Sequence, residues 1–279
     1  MKPTPSSFQS PRRWRAGRVL CAALLAGALA TPAAAQEAPG PELAAPPRIS
    51  TTDAQLLTTF NGAGRDDPYL VLTLQHFSTW QYGSNFFFLD VSGGADVDPF
   101  KDQLGLYLEY APVFSLGRLG VLPMPVGGAL RDVGVTVQIN GGKTPEGFPI
   151  ERVFLEGVEL AWAVPHFAVF NTQLLARQER GYDASWQLTW VYTLPFTLGR
   201  ADGMVTGFLD VWRRTGHEAL SNSTVVLAQP QVLFNLGKPE PNKSFLQFGV
   251  ELEPSHDFPL REASSGWNLA VSPMVRWVF

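Results

Sequence analysis

Cysteine, histidine and charge are all scarce in this 279-residue chain. The single cysteine, Cys21, lies in a segment that we expect to be removed, so neither disulfides nor cysteine-ligated metals belong to the mature protein. The four histidines, His76, His166, His217 and His256, lie on separate segments and give no support to a metal cluster. Charged residues make up 16% of the chain, against roughly 25% in soluble domains, which argues against a charge-covered soluble surface.

Long apolar runs and nucleotide-binding motifs are missing as well. Beyond residue 35 no stretch offers 18 consecutive apolar residues, which excludes a helix that spans a membrane. No phosphate-binding loop and no dinucleotide fingerprint occurs in the sequence. We therefore predict that the protein carries no cofactor.

The first 35 residues have the pattern of an export signal. Basic residues up to Arg18 are followed by the apolar run 19–30 and then by the small residues 33–35. This order is typical of a secretory signal peptide. A membrane anchor is the alternative, but the run is shorter than the about 20 residues that cross a bilayer. We predict a signal peptide at 1–35, a flexible periplasmic leader rich in Ala and Pro at 36–50, and a folded domain at 51–279.

The mature chain is acidic. Without the five basic residues of 1–35, 16 basic and 25 acidic residues remain, which gives a net charge of −9. Proteins hold nucleic acids mainly through Lys and Arg contacts to phosphate. A nucleic-acid partner is therefore not expected.

Alternation of apolar and polar residues is the strongest pattern of the mature chain. In 245–253 every second residue is apolar, and side chains two apart share one face of a strand. The same pattern continues to the end of the chain, where the apolar set is Trp267, Leu269, Val271, Pro273, Val275, Trp277 and Phe279. A soluble β-sandwich would alternate too, but the export signal, the terminal Phe279 and the aromatic residues near both strand ends favour an outer-membrane β-barrel.

The pattern predicts an all-β fold, a transmembrane antiparallel up-and-down barrel of about twelve strands. An even strand number is the rule in bacterial single-chain barrels. The predicted strands lie near 51–60, 69–79, 85–92, 104–114, 132–140, 151–163, 166–177, 184–194, 203–213, 224–236, 244–254 and 267–279. With the last strand ending at the periplasm, the connection 115–131 is periplasmic and unusually long, so it is either a strap or an unrecognised short strand.

Assigning the apolar side of each strand to lipid leaves a set of mostly polar residues that point inward. We predict that the lumen and the solute-binding surface include Thr73, Gln75, Phe77, Phe86, Phe88, Asp90, Tyr107, Glu109, Gln247, Glu251 and Arg276. Two alternatives stay open. Phe86 and Phe88 could only fill the interior, as side chains do in small barrels. The carboxylates, including Glu253, could pair with Arg177 and Arg276 and hold the interior together.

Part of the sequence resembles a known family. The segments 69–77, 80–91 and 108–114 are similar to the Tsx-type nucleoside-specific channels of Gram-negative outer membranes, and the most specific piece is Trp-x-Tyr-Gly-x-Asn-Phe-Phe-Phe-x-Asp at 80–90. A looser similarity continues through 181–183 and 266–279. The resemblance implies a monomeric twelve-stranded barrel whose narrow lumen passes nucleosides, and some members of the family also serve as phage receptors.

These observations predict a non-enzymatic channel for the passive uptake of small solutes, with nucleosides as the expected solutes. A base can stack on a phenyl ring, which is worth about 1–3 kcal/mol per base, and ribose hydroxyls can donate to carboxylates. The expected partners are outer-membrane lipid and lipopolysaccharide, a small neutral solute, and the barrel-assembly machinery through Phe279. The expected location is the outer membrane of a Gram-negative bacterium.

Two other functions are compatible with a barrel. One is a structural or surface-receptor protein, for example one that binds phage, without specific transport. The other is an outer-membrane phospholipase, because His76 and Ser78 are two residues apart on one strand face, where a histidine base could reach a serine hydroxyl. Thr79 and Trp80 follow this serine, whereas Asn-Gly-Arg is expected in the phospholipases.

Overall fold

The computed structural model of the chain describes residues 49–62, 67–93, 104–126, 128–143, 149–216, 223–239, 243–258 and 266–279. The predicted signal peptide and most of the predicted leader lie outside these residues. In the described part of the chain, no helix is long and apolar enough to cross a membrane.

Thirteen strands form one antiparallel sheet within the described residues. They are β1 (Ser50–Thr59), β2 (Tyr69–Trp80), β3 (Gly83–Ser92), β4 (Gly105–Ser115), β5 (Leu130–Lys143), β6 (Pro149–Trp162), β7 (Val169–Glu179), β8 (Ser185–Leu198), β9 (Ala201–Arg214), β10 (Ser223–Ala228), β11 (Gln231–Leu236), β12 (Phe245–His256) and β13 (Trp267–Val278).

The sheet closes into a barrel with twelve positions. β1 pairs with β2 on one side and with β13 on the other, so the first strand meets the last. β10 and β11 share one position, since both lie between β9 and β12. The break between β10 and β11 falls at Gln229 and Pro230, because proline has no N–H group to donate to the hydrogen-bond ladder. The predicted all-β antiparallel barrel of twelve positions is confirmed.

The predicted strands agree with the observed ones, with three differences in detail. The predicted strand 224–236 occupies a single barrel position but is interrupted by Pro230. The long connection after β4 contains no strand in its described residues, which form a series of turns, so the possibility of a short strand there is wrong. Between β8 and β9 only Gly199 and Arg200 remain as a connection, shorter than the predicted 195–202.

The exterior of the barrel is apolar, and much of its interior is polar. Along β13 and at the last residue, apolar side chains are exposed while polar side chains such as Ser272 and Arg276 are buried. The exposed set is Trp267, Leu269, Val275, Trp277 and Phe279. This arrangement is inverted relative to a water-soluble protein and matches a surface that faces lipid.

Aromatic rings lie near both ends of the barrel wall. We call the end that carries Ser50 and Phe279 the terminal end, and there the rings of Trp277 and Phe279 lie 5.1 Å apart. At the opposite end the rings of His256 and Trp267 lie 5.2 Å apart. Rings at both borders of an apolar band are typical of barrels that sit in a bilayer.

The closed hydrogen-bond ladder has a simple consequence in gel electrophoresis. A closed barrel has no free strand edge at which detergent could begin to separate strands. We expect the unheated protein to migrate differently from the boiled protein on a detergent gel. Identical migration of a folded sample before and after boiling would contradict the closed fold.

Candidate solute path in the barrel interior

Strand register places all eleven predicted site residues on the interior face. Residues that are paired across antiparallel strands share one face of the sheet. Asp90 pairs with Thr73 on one side and with Tyr107 on the other. Phe88 pairs in the same way with Gln75 and with Glu109. The remaining residues extend the same face through the pairs Phe77–Phe86, Gln247–Arg276 and Glu251–Ser272.

The structure divides these residues into two groups. Eight of them lie on three neighbouring strands and form what we call the β2–β4 wall: Thr73, Gln75, Phe77, Phe86, Phe88, Asp90, Tyr107 and Glu109. The other three, Gln247, Glu251 and Arg276, lie on β12 and β13. β12 and β3 are four barrel positions apart, so the two groups approach the interior from different sides.

Three aromatic rings form a continuous row on the β2–β4 wall. The ring centroids of Phe86 and Phe88 are 6.0 Å apart, and those of Phe88 and Tyr107 are 5.9 Å apart. All three side chains are only partly buried, so part of each ring surface stays accessible from the interior. We call this set the aromatic row. It offers a flat solute a sequence of stacking surfaces along the barrel.

Carboxylates flank the aromatic row and are held by neutral donors. The Thr73 hydroxyl donates to Asp90 at 2.5 Å. Glu109 accepts from the Tyr107 hydroxyl at 2.7 Å and from the Asn140 amide at 3.0 Å. The other polar atom of Asn140, Oδ1, is buried and has no hydrogen-bond partner among the described residues. The wall therefore presents acceptors beside its aromatic faces.

Two further carboxylates face the β2–β4 wall from β12. Gln231 donates to Glu251 at 2.8 Å, and Gln229 donates to Glu253 at 2.9 Å. Both glutamates lie on β12, four barrel positions from β3, which carries Asp90. Among the described residues no Lys or Arg forms an ion pair with any of these three carboxylates. These three carboxyl groups are therefore held by neutral donors.

The buried arginines have other partners than the sequence suggested. Arg276 bonds Asp53 at 2.5 Å, across the junction of β1 and β13. Arg177 and Arg214 both bond Glu179, at 3.0 and 2.8 Å. The sequence allows pairing of Arg276 and Arg177 with Asp90, Glu109, Glu251 and Glu253, whereas Asp53 and Glu179 are the observed partners, a pairing that does not emerge from the sequence alone. The period-two alternation of β1 and β7 is the signal that could have placed these two residues inward.

An apolar cluster fills part of the interior. Leu57, Leu233 and Met274 are buried against one another, and Val71 and Met204 pack on them. These five residues come from β1, β2, β9, β11 and β13, which together with the intervening β12 form one side of the barrel. We call them the apolar plug.

The plug changes the expected role of two predicted residues. Gln247 is 0% exposed and Arg276 is 8% exposed, so both lie in the packed side of the interior. Neither offers an accessible surface to a solute in this structure. Their observed contacts, Gln247 with Asn235 and Arg276 with Asp53, connect strands instead.

The phospholipase hypothesis finds no support in the geometry. His76 Nδ1 is hydrogen-bonded to the Thr52 hydroxyl at 2.8 Å, and its ring stacks on Phe87 at 5.4 Å. No hydrogen bond joins His76 to Ser78 within the described residues. The base and the nucleophile that the hypothesis requires are therefore not connected.

Comparisons with known proteins leave the family open. No family model matches the chain, and neither does any curated protein. One similar solved structure is a KdgM porin in complex with disordered oligogalacturonate, with a TM-score of 0.44 and 10% identity over 82% of this chain and 99% of that one. Another is LpxR from Salmonella typhimurium, with a TM-score of 0.40 and 9% identity over 83% and 100%. The resemblance to Tsx-type channels stays a prediction.

Proposed function

We propose that the protein is an outer-membrane channel of a Gram-negative bacterium that admits small neutral solutes, with nucleosides as its preferred solutes. The observation that carries the proposal is the aromatic row with its flanking acceptors on the β2–β4 wall. Phe88 stands in the middle of the row, between Phe86 and Tyr107. Its cross-strand neighbour Glu109 brings a carboxylate to the same place.

The chemistry of this wall matches the two halves of a nucleoside. The base is flat and can stack on the phenyl rings, an interaction that tolerates different bases because every base has a π-face. The ribose carries hydroxyl donors, and the Glu109 and Asp90 carboxylates are acceptors. A solute that has only one of these halves would bind more weakly.

The packed side of the interior determines where a solute would pass. The apolar plug and the buried side chains around it fill the side formed by β9, β11, β13 and β1, and the plug reaches Val71 at the start of β2. The partly exposed residues of the β2–β4 wall then border the remaining path. A path along one wall brings every passing solute into contact with the aromatic row, which favours selectivity over high conductance.

Acidic side chains give the path a charge preference. Asp90 lies on the β2–β4 wall, and Glu251 and Glu253 lie on the interior face of β12. A phosphate group would find no pairing partner there, because no Lys or Arg forms an ion pair with these carboxyl groups in the described part of the chain. The path therefore suits neutral nucleosides and disfavours nucleotides.

The membrane placement rests on the exterior. Its exposed apolar residues would contact acyl chains, and its aromatic borders would lie at the two interfaces. We further propose that outer-membrane lipid and lipopolysaccharide surround the barrel and that Phe279 is recognised by the assembly machinery. The surface-receptor alternative depends on connections that lie largely outside the described residues, and no observation favours it.

Current through single proteins in a planar bilayer tests the proposed function. We expect a small conductance that adenosine or uridine reduces at millimolar concentration, while the corresponding monophosphates have a weaker effect. Absence of any block by nucleosides would overturn the choice of solute. Absence of any conductance would overturn the channel itself.

A further inference from the structure

The connection between β4 and β5 is unusual for the terminal end of the barrel, where the other described turns are short. It runs from residue 116 to 129 and is described except for residue 127. Its sequence contains no charged residue between Arg118 and Arg131. A loop that is surrounded by water normally carries polar residues. This loop is therefore apolar where a polar connection is expected.

Three large apolar side chains of the loop are exposed. Val121 is 65% exposed, Met124 is 54% exposed and Leu119 is 44% exposed. Pro123 and Pro125 beside them are exposed as well. A contiguous exposed apolar patch is characteristic of a surface that contacts a membrane or another protein.

The loop is held in place by a hydrogen-bond network at its base. The Ser115 hydroxyl donates to Asp132 at 2.5 Å, and the Gly117 amide donates to the same carboxylate at 3.2 Å. The Arg118 guanidinium donates to the backbone carbonyls of Trp80 at 2.7 Å and Gly83 at 3.1 Å. The apolar patch is therefore presented by a fixed framework next to the β2–β3 turn.

The same turn carries aromatic rings that continue the lipid-facing wall. Trp80 packs edge-on against Tyr82 at 5.4 Å and against Phe114 at 5.7 Å. Phe114 pairs with the exposed Val135 on the exterior face, immediately before the loop begins. The loop thus begins two residues after a side chain that faces lipid.

We propose that residues 119–126 insert into the interfacial region of the bilayer leaflet at the terminal end and bind phospholipid. This inference rests on the membrane placement proposed above. The aromatic group beside the loop marks the depth of the interface, since Trp and Tyr are enriched there. Arg131 is exposed just after the apolar segment, where it can contact lipid phosphates. The loop acts as an anchor beside the barrel.

Site-specific fluorescence in the full-length chain tests this proposal. In a Cys21→Ala background, single cysteines are introduced by Met124→Cys, Arg200→Cys and Val137→Cys and labelled with bimane. Arg200 is a matched control because it lies in the exposed β8–β9 turn at the same end. Val137 is exposed on the exterior of β5 and reports insertion of the barrel. The proteins are reconstituted into phosphatidylcholine vesicles that contain nitroxide-labelled lipid.

We expect the lipid nitroxide to quench the bimane labels at positions 124 and 137. Aqueous iodide should quench only the label at position 200. Quenching of the Met124 label by iodide alone would overturn the proposal. Protection of that label from both quenchers would also overturn it, because a second copy of the chain would then cover the loop. A Val137 label that escapes the lipid nitroxide would overturn the membrane placement itself, so the two failures are distinguishable.

Discussion

Replacing Phe88 with alanine is expected to weaken nucleoside block of the channel by about fivefold to 150-fold, because stacking of one base is worth about 1–3 kcal/mol. Phe88 has the largest expected effect in the aromatic row, since its ring lies next to both Phe86 and Tyr107. The variant leaves a gap in the middle of the row. The measurement is the nucleoside concentration that halves the single-channel current.

Two matched variants separate stacking from a general change of the interior. Phe88→Tyr keeps a ring at the same place and should retain the block. Phe208→Ala removes a phenyl ring from the interior face of β9, away from the aromatic row, and should leave the block unchanged. If nucleosides block the Phe88→Ala channel as strongly as they block the parent channel, the Phe88 ring only fills space.

Loss of one partner of the Asp53–Arg276 ion pair should reduce the free energy of unfolding by about 3–5 kcal/mol, because the other charge is left buried without compensation. The pair connects β1 to β13, where the barrel closes. Asp53→Ala and Arg276→Met are suitable changes. Urea unfolding of the protein in lipid vesicles, followed by the difference in gel migration, measures the effect.

The double variant is the control for this prediction. When both charges are removed, no unpaired charge remains, so the double variant should be more stable than the sum of the two single effects implies. Additive losses would show that the two side chains act independently. The lipid-facing change Val275→Ala, on the exterior of β13, should lower stability much less than either single variant.

The fold was predictable because one face of every strand must suit lipid. This constraint imposes a period of two on the sequence, and the period fixes which residues point inward once the strands are located. The segments around Leu246, Phe248 and Val250 illustrate it, since their neighbours Gln247 and Glu251 are found on the interior face. Strand ends were less certain because Gly and Pro mark turns only to within a few residues.

The partners inside the barrel could not be predicted from alternation. Alternation assigns a residue to a face but says nothing about which strand lies opposite across the interior. Gln55 and Gln231 meet at 3.0 Å although 176 residues separate them. The apolar plug could not be predicted for a related reason. Leu57 and Met274 are apolar residues on the otherwise polar interior faces of β1 and β13, and neither strand alone shows that they meet.

The hydrogen bonds around Gln55 also bear on the order of folding. Gln55 donates to Asp53 at 2.8 Å and accepts from Gln231, which in turn donates to Glu251. This chain joins the first strand of the barrel to residues of β11 and β12, and Arg276 of β13 completes it through Asp53. Contacts so distant in sequence form late, since the loop between them must first be closed. We therefore expect β1 to form its contacts only when β11, β12 and β13 are in place. Closure of the barrel and packing of its interior are then one cooperative step.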